Sequence, residues 1–205
     1  MSLEDCNINK TKLCPTLIII PDITGFNDYM NNSNLEYSQK AIGGLLESIL
    51  DNNILNLKVS DIEGDTILFY SYDLNKTIDQ IIYQCELMFQ KFHDKLKAFN
   101  SENCKCGTCE RLHNLTLKFV VHFGNLSSLM LKDYCRLFGK DLIVAQRLLK
   151  NSIGFREYIL VTDNALINYK RERKISMINS SWQVGKESVT DVGEINFLYK
   201  QLEIT

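Results

Sequence analysis

An unbroken apolar run, Thr16-Leu17-Ile18-Ile19-Ile20, leads into Pro21-Asp22-Ile23-Thr24-Gly25-Phe26 and limits the fold more than any other stretch of the chain. Its length and β-branched content make it a fully buried central strand. A second stretch repeats the plan. Leu57-Lys58-Val59-Ser60 and Thr66-Ile67-Leu68-Phe69-Tyr70 flank Asp61-Ile62-Glu63-Gly64-Asp65, the pattern of a β-hairpin. In both places an aspartate stands where a strand runs out, beside a glycine that frees the backbone. Carboxylates at strand ends face the crevice beyond a sheet. Two of them brought together, Asp22 and Asp65, hold a hard cation such as Mg²⁺ or Mn²⁺. Singly, each reads as a turn residue, Asp22 as a helix cap and Asp65 as hairpin chemistry. Together, with a helix between, they favour a metal site. The backbone of Thr24, Gly25 and Phe26, turning from strand toward helix, offers N–H groups to phosphate oxygens.

Residues 27–34 are Asn-rich and read as a loop. Tyr37, Ala41, Ile42, Leu45, Leu46, Ile49 and Leu50 then recur at helical spacing. Strands are expected over 54–60 and 66–72. Ile78, Ile81, Ile82, Cys85, Met88, Phe89, Phe92 and Leu96 mark a long amphipathic helix. Residues 115–123 alternate as a strand with 127–138 as its hairpin partner. A helix follows over 139–150, a strand over 158–162 with a short helix after it, and strands over 174–184 and 195–201. The order strand–helix–strand–strand–helix–strand is that of the ferredoxin-like βαββαβ unit. The expected class is therefore α/β (α+β), a mostly antiparallel sheet with helices on one face. Residues 1–15 read as a flexible leader and 16–205 as a single domain, with a Cys-rich loop at 100–114. The bare sheet face needs cover, and a second copy of the chain would supply it as a homodimer.

A net charge of −2 over 205 residues creates no broad field for nucleic acid or an anionic membrane. The run Lys170-Arg171-Glu172-Arg173-Lys174 is short, broken by a glutamate, and reads as a solvated turn. No apolar stretch approaches the ~20 residues of a membrane span, and residues 1–12 lack the apolar core of a signal peptide, so a cytoplasmic chain is expected. Seven cysteines, an odd number, argue against a complete disulfide framework. Cys104, Cys106, Cys109 and His113 fall within ten positions and can form a tetrahedral Cys₃His site for structural Zn²⁺; the alternative is a surface loop of idle thiols. Cys85 belongs to an apolar helix face and reads as core. His122 reads as packing, and His93 lies near the polar margin of the long helix.

With these residues in place, the chain resembles the class III nucleotidyl cyclases. Pro21-Asp22-Ile23-Thr24-Gly25-Phe26 is similar to their Asp-Ile-x-Gly-Phe motif, and Glu63-Gly64-Asp65 to their Gly-Asp hairpin motif. Val120-Val121-His122-Phe123-Gly124 resembles their Ile-His-x-Gly strand, and 138–148 their Gly-x-x-Val-Asn-x-Ala-x-Arg helix. Closer still is a cyclase-like family that shares the Cys-x-Cys-x-x-Cys insertion. The resemblance implies that Asp22 and Asp65 are metal ligands, joined by the Ile23 carbonyl. It implies that Arg147 is the catalytic arginine that steadies the triphosphate in the transition state, and that the site lies between two subunits. The departures are equally specific. Asp61 stands where cyclases carry a base-selecting lysine, Arg136 where they carry a purine-reading aspartate, and Ile143 where they carry a transition-state asparagine. Their C-terminal triphosphate-binding lysine has no counterpart in 192–195. Removing one transition-state donor costs on the order of 10²–10³ in rate. The expected function is thus a divergent cyclase-like domain that binds divalent metal and a nucleoside triphosphate without ordinary cyclisation. The alternatives are an active metal-dependent cyclase with altered base recognition, and a scaffold.

Overall fold

The computed structural model describes residues 13–100, 111–132, 134–169 and 181–204. Strand β1 (Cys14–Thr24) runs through the middle of an eight-stranded sheet. On one side it pairs antiparallel with β3 (Thr66–Ser71), which pairs in turn with β2 (Lys58–Glu63). On the other it pairs antiparallel with β4 (Thr116–Leu131) over eleven rungs. The order β2-β3-β1-β4 is the ferredoxin-like core. Beyond it the sheet continues through β6 (Tyr158–Thr162), β8 (Gly193–Gln201) and β7 (Trp182–Val189), while β5 (Tyr134–Phe138) pairs with β4 alone. Among the described residues, only the β4–β6 junction is parallel.

Alternation along β1 explains the layering, because successive side chains point to opposite faces. Leu17, Ile19 and Ile23 join Phe69, Phe119 and Val121 in the larger core, under α2 (Leu35–Asp51), α3 (Ile78–Asn100) and α5 (Asp163–Tyr169). Ile18 and Ile20 point the other way. There they meet α4 (Lys140–Arg147) and the turn after it, through Leu142, Ala145 and Leu149, while Val144 and Leu148 pack on Val120 and Leu160. The mostly antiparallel α/β core is as expected, but the helices are not confined to one face. A strand apolar on both sides leaves two faces to cover, and each buried Leu or Ile favours cover by roughly 1.5–3 kcal/mol.

Helix α3 follows its periodicity, burying Ile81, Cys85, Met88, Phe92 and Leu96. Burial pushes the Cys85 thiol far up, so it stays protonated and packs as core. Five expectations are revised. Residues 27–31, expected within a loop or short irregular turn, belong to the short helix α1 (Phe26–Asn31), entered from Gly25 in the left-handed region at φ 94°. Residues 54–57 are a turn rather than strand: Asn53 bonds Leu57 through both its amide groups, and Gln84 of α3 accepts from Leu55 N and donates to the Asn52 carbonyl. The strand at 115–123 does not turn at 124; it runs on as β4 to Leu131, and its partner is Tyr134–Phe138. Residues 174–180 lie outside the described residues, and the strand expected around them is seen as Trp182–Val189. His93 is not at a polar margin: it is buried between Phe89 and Phe92, its Nε2 2.8 Å from Glu157.

His122 braces the second layer. It is buried, with Nδ1 2.9 Å from Thr162 Oγ1 and Nε2 3.5 Å from Asp141 Oδ1 in the first turn of α4. Asp141 also accepts from Asn125 N at 2.7 Å. Its carboxyl lies over Gly124, where any Cβ would overlap it. His122 holds that carboxyl below the usual carboxylate range, against the opposing effect of burial.

Candidate functional site

Strand register assembles the site. Asp22 on β1 is opposite Thr66 on β3 and Lys118 on β4, so three polar side chains share one rung. The alternation of β1 puts Asp22 on the face of Ile18 and Ile20, the face that α4 covers. Thr66 Oγ1 donates to Asp22 Oδ1 at 2.8 Å and approaches Asp65 Oδ1 to 3.5 Å. Both carboxylates therefore lie within 3.5 Å of one hydroxyl oxygen. Gly64, left-handed at φ 61°, turns the chain so that Asp65 arrives there. The Ile23 N–H donates to the Asp65 carbonyl at 3.1 Å and locks the two strand ends together. Burial first, and then the negative charge of Asp22, raises the Asp65 carboxyl above its ordinary value.

Lys118 is the cation of this group. Its ammonium sits 3.2 Å from Asp22 Oδ2 and donates to the Leu149 carbonyl at 2.8 Å, just past the end of α4. On Asp65 the lowering influence of Lys118 is outweighed by burial and by Asp22, which raise that carboxyl. Among the described residues no group of three or more His, Cys, Asp or Glu side chains is gathered for a metal. Mg²⁺ does not require one, since it is commonly held by one or two carboxylates together with substrate phosphates and water. The donors here, two carboxylates whose mutual repulsion a cation would relieve and the neighbouring Ile23 backbone, fit that type of site.

The turn after β1 adjoins the pair. Thr24 Oγ1 is buried and has no hydrogen-bond partner among the described residues. Phe26 packs toward Gly64, its ring 3.6 Å from where a Cβ there would stand, so the two glycine turns abut. Arg156 comes within 3.3 Å of the Cβ position of Gly25 while donating to the Asn114 carbonyl at 2.7 Å. A cation thus flanks Thr24, Gly25 and Phe26.

Beside the aspartates lies a cleft of about 90 Å³ floored by Ile20, Leu68 and Leu142, with Thr66 in common between the two. Asp61 and Arg136 on its rim form an ion pair at 3.1 Å. The two positions that the resemblance matched to base recognition, Asp61 and Arg136, are therefore partners. Ile143, the third departure, is exposed. Arg147 is not brought to the aspartates within the chain; it donates to the Thr190 carbonyl at the β7–β8 turn. Cys104, Cys106 and Cys109 lie outside the described residues, and His113 is exposed just after them.

Sequence reading missed Lys118, Thr66 and Arg156. For Lys118 a signal existed: in the alternating strand it shares the parity of Val120 and His122, so a charge pointed where apolar groups belong. Thr66 and Arg156 carried none, since their partners are more than forty positions away.

Residues 42–158 match the model of a family described as a protein of unknown function, DUF2652. An uncharacterized protein of Mycobacterium tuberculosis, Rv2561/Rv2562, is 32% identical over 120 residues, 58% of this chain and 56% of that protein. The chain thus spans little more than half the length of this curated relative. Among solved structures, a bacterial light-regulated adenylyl cyclase superposes with a TM-score of 0.67 at 13% identity, over 96% of this chain and 54% of that one. The adenylyl cyclase CyaB from P. aeruginosa gives 0.66 at 10% identity, over 95% and 96%. The guanylate cyclase domain of RhGC from Catenaria anguillulae, in complex with GTP, gives 0.62 at 14% identity, over 94% and 100%. At these identities the likeness is one of fold, that of class III cyclase catalytic domains.

Proposed function

We infer that this chain, which belongs to the DUF2652 family, is a divergent nucleotidyl cyclase-like domain that binds Mg²⁺ or Mn²⁺ through Asp22 and Asp65 and takes a nucleoside triphosphate without ordinary cyclisation. One observation carries the reading: two carboxylates from strand ends 43 positions apart meet at one hydroxyl, on a fold whose solved neighbours include a GTP complex. A bound divalent ion would neutralise phosphate charge and polarise a phosphoryl centre. The chain's own groups would do the rest. Asp22, Asp65 and the Ile23 carbonyl would hold the ion, and the Thr24, Gly25 and Phe26 backbone, with Arg156 beside it, would orient phosphate oxygens. Arg147, which its own chain does not bring to the aspartates, is proposed to act at the site of a second subunit in a homodimer, giving up its bond to the Thr190 carbonyl. Loss of cyclisation follows from Ile143, whose side chain has no donor.

A second reading, an active cyclase with altered base recognition, is favoured by the Asp61–Arg136 pair, since exchanged charges would still present one donor and one acceptor to a base. One experiment separates them: incubate the purified protein with Mn²⁺ or Mg²⁺ and each nucleoside triphosphate, and assay bound ligand and cyclic product. Metal-dependent binding without cyclic product is expected. A cyclic product selects the second reading, and absence of metal-dependent binding overturns both.

A further inference from the structure

The two-aspartate site already holds a positive charge. We propose that the Lys118 ammonium is a tethered counter-cation that a divalent metal must displace from Asp22, so that this lysine sets the metal affinity of the site. The proposal rests on the reading of Asp22 and Asp65 as metal ligands.

Three observations support it. Lys118 is held by strand register directly across from Asp22, and its ammonium is 3.2 Å from Oδ2, on one of the oxygens a cation would use. The side chain is only 16% exposed, so leaving Asp22 does not return it freely to water. Its other partner, the Leu149 carbonyl at 2.8 Å, gives it a place to remain while Asp22 is vacated. Oδ1 of Asp22 is occupied by Thr66, so an ion approaching Asp22 competes with a hydroxyl on one oxygen and an ammonium on the other. The hydroxyl can rotate its proton away and present a lone pair. An ammonium has no lone pair and repels the ion at every rotation, so it is the group that must move.

The test measures metal binding, not turnover. Mn²⁺ affinity of the full chain is read by calorimetry and by loss of the free-ion electron paramagnetic signal, for the wild type and for Lys118→Gln, Lys118→Met and Lys118→Arg. Gln and Met remove the charge, and Gln keeps a donor for Leu149. Both should bind Mn²⁺ on the order of ten-fold more tightly, and Mn²⁺ should raise their melting temperature more than that of the wild type. Arg should bind like the wild type. In the unmutated protein, Mg²⁺ should increase the reductive methylation of Lys118, followed by mass spectrometry, and this arm needs no variant to fold. Unchanged or weaker Mn²⁺ binding in a folded neutral variant overturns the proposal, as does unchanged Lys118 labelling while Asp22→Asn still abolishes binding. If no protein binds Mn²⁺ at all, the two-aspartate reading falls, and the role of Lys118 with it.

Discussion

A single rung of the sheet decides what Asp22 can do. Its neighbours, Thr66 and Lys118, come from strands 44 and 96 positions later, and pairing alone brings them within reach. The aspartates were legible beforehand, because each ends an apolar run beside a glycine. Their partners were not, because cross-strand neighbours depend on register, which a hydrophobic pattern fixes only to a face and not to a rung. Arg147 shows the same limit: the resemblance implies a catalytic role, yet within its own chain it donates to the Thr190 carbonyl. The decisive substitution is Asp22→Asn with Asp65→Asn. It should abolish Mn²⁺-dependent nucleotide binding in calorimetry while the circular dichroism spectrum stays that of the wild type. Losing the Asp65 charge relieves a carboxyl that burial and Asp22 raise. Asp22→Asn, however, leaves the Lys118 ammonium without its carboxylate, so metal-free stability should fall while the fold is kept.

Elements were legible in proportion to their length. Helix α3 shows through because its apolar face repeats for more than five turns, whereas α1, with six residues, is too short for periodicity to register. Helix α4 was expected as a helix but placed in the wrong layer. What puts it on the second face is the contact between Asp141, Gly124 and His122, a close approach visible only in three dimensions. Gly124→Ala should therefore push α4 off the sheet and cost roughly 1–3 kcal/mol, read as a lowered urea midpoint. Asp141→Asn tests the same joint through pH. The folded carboxyl of Asp141 lies below its ordinary value, so its contribution is present above the ordinary carboxylate range of ~3.9 and lost as pH falls through the folded value. The variant should be less stable by about 1 kcal/mol near pH 7, and the difference should close below pH ~4. A constant difference down to pH ~2 would assign the loss to packing instead. The cysteine-rich segment lies outside the described residues. One zinc per chain, held by Cys104, Cys106, Cys109 and His113, is proposed; elemental analysis of untagged protein finding none, with every thiol titratable, would reject it.

At the scale of the whole molecule, the order β2-β3-β1-β4 was implied by the succession of elements, whereas the continuation through β6, β8 and β7 was not. That difference bears on assembly. A sheet with one bare apolar face would need a second copy to cover it, but α4 and the turn after it cover part of that face with Leu142, Val144, Ala145 and Leu148. What remains is smaller and more specific. Phe138 on β5 is 59% exposed, Ile143 on α4 is 48% exposed and Leu129 on β4 is 39% exposed. Large apolar side chains on neighbouring elements, beside a charged cleft rim, have the composition of an interface core inside a polar border. A twofold dimer using this surface would repeat each residue across the axis and is the assembly proposed for the role of Arg147. Phe138→Glu with Ile143→Glu places two carboxylates on each side of such an interface. Light scattering across dilution should give twice 23.7 kDa for the wild type and 23.7 kDa for the variant, both with the same circular dichroism. A wild type of 23.7 kDa at high micromolar concentration would remove the dimer, and with it the role proposed for Arg147. It would leave the metal reading of Asp22 and Asp65 intact, because both carboxylates meet Thr66 within one chain.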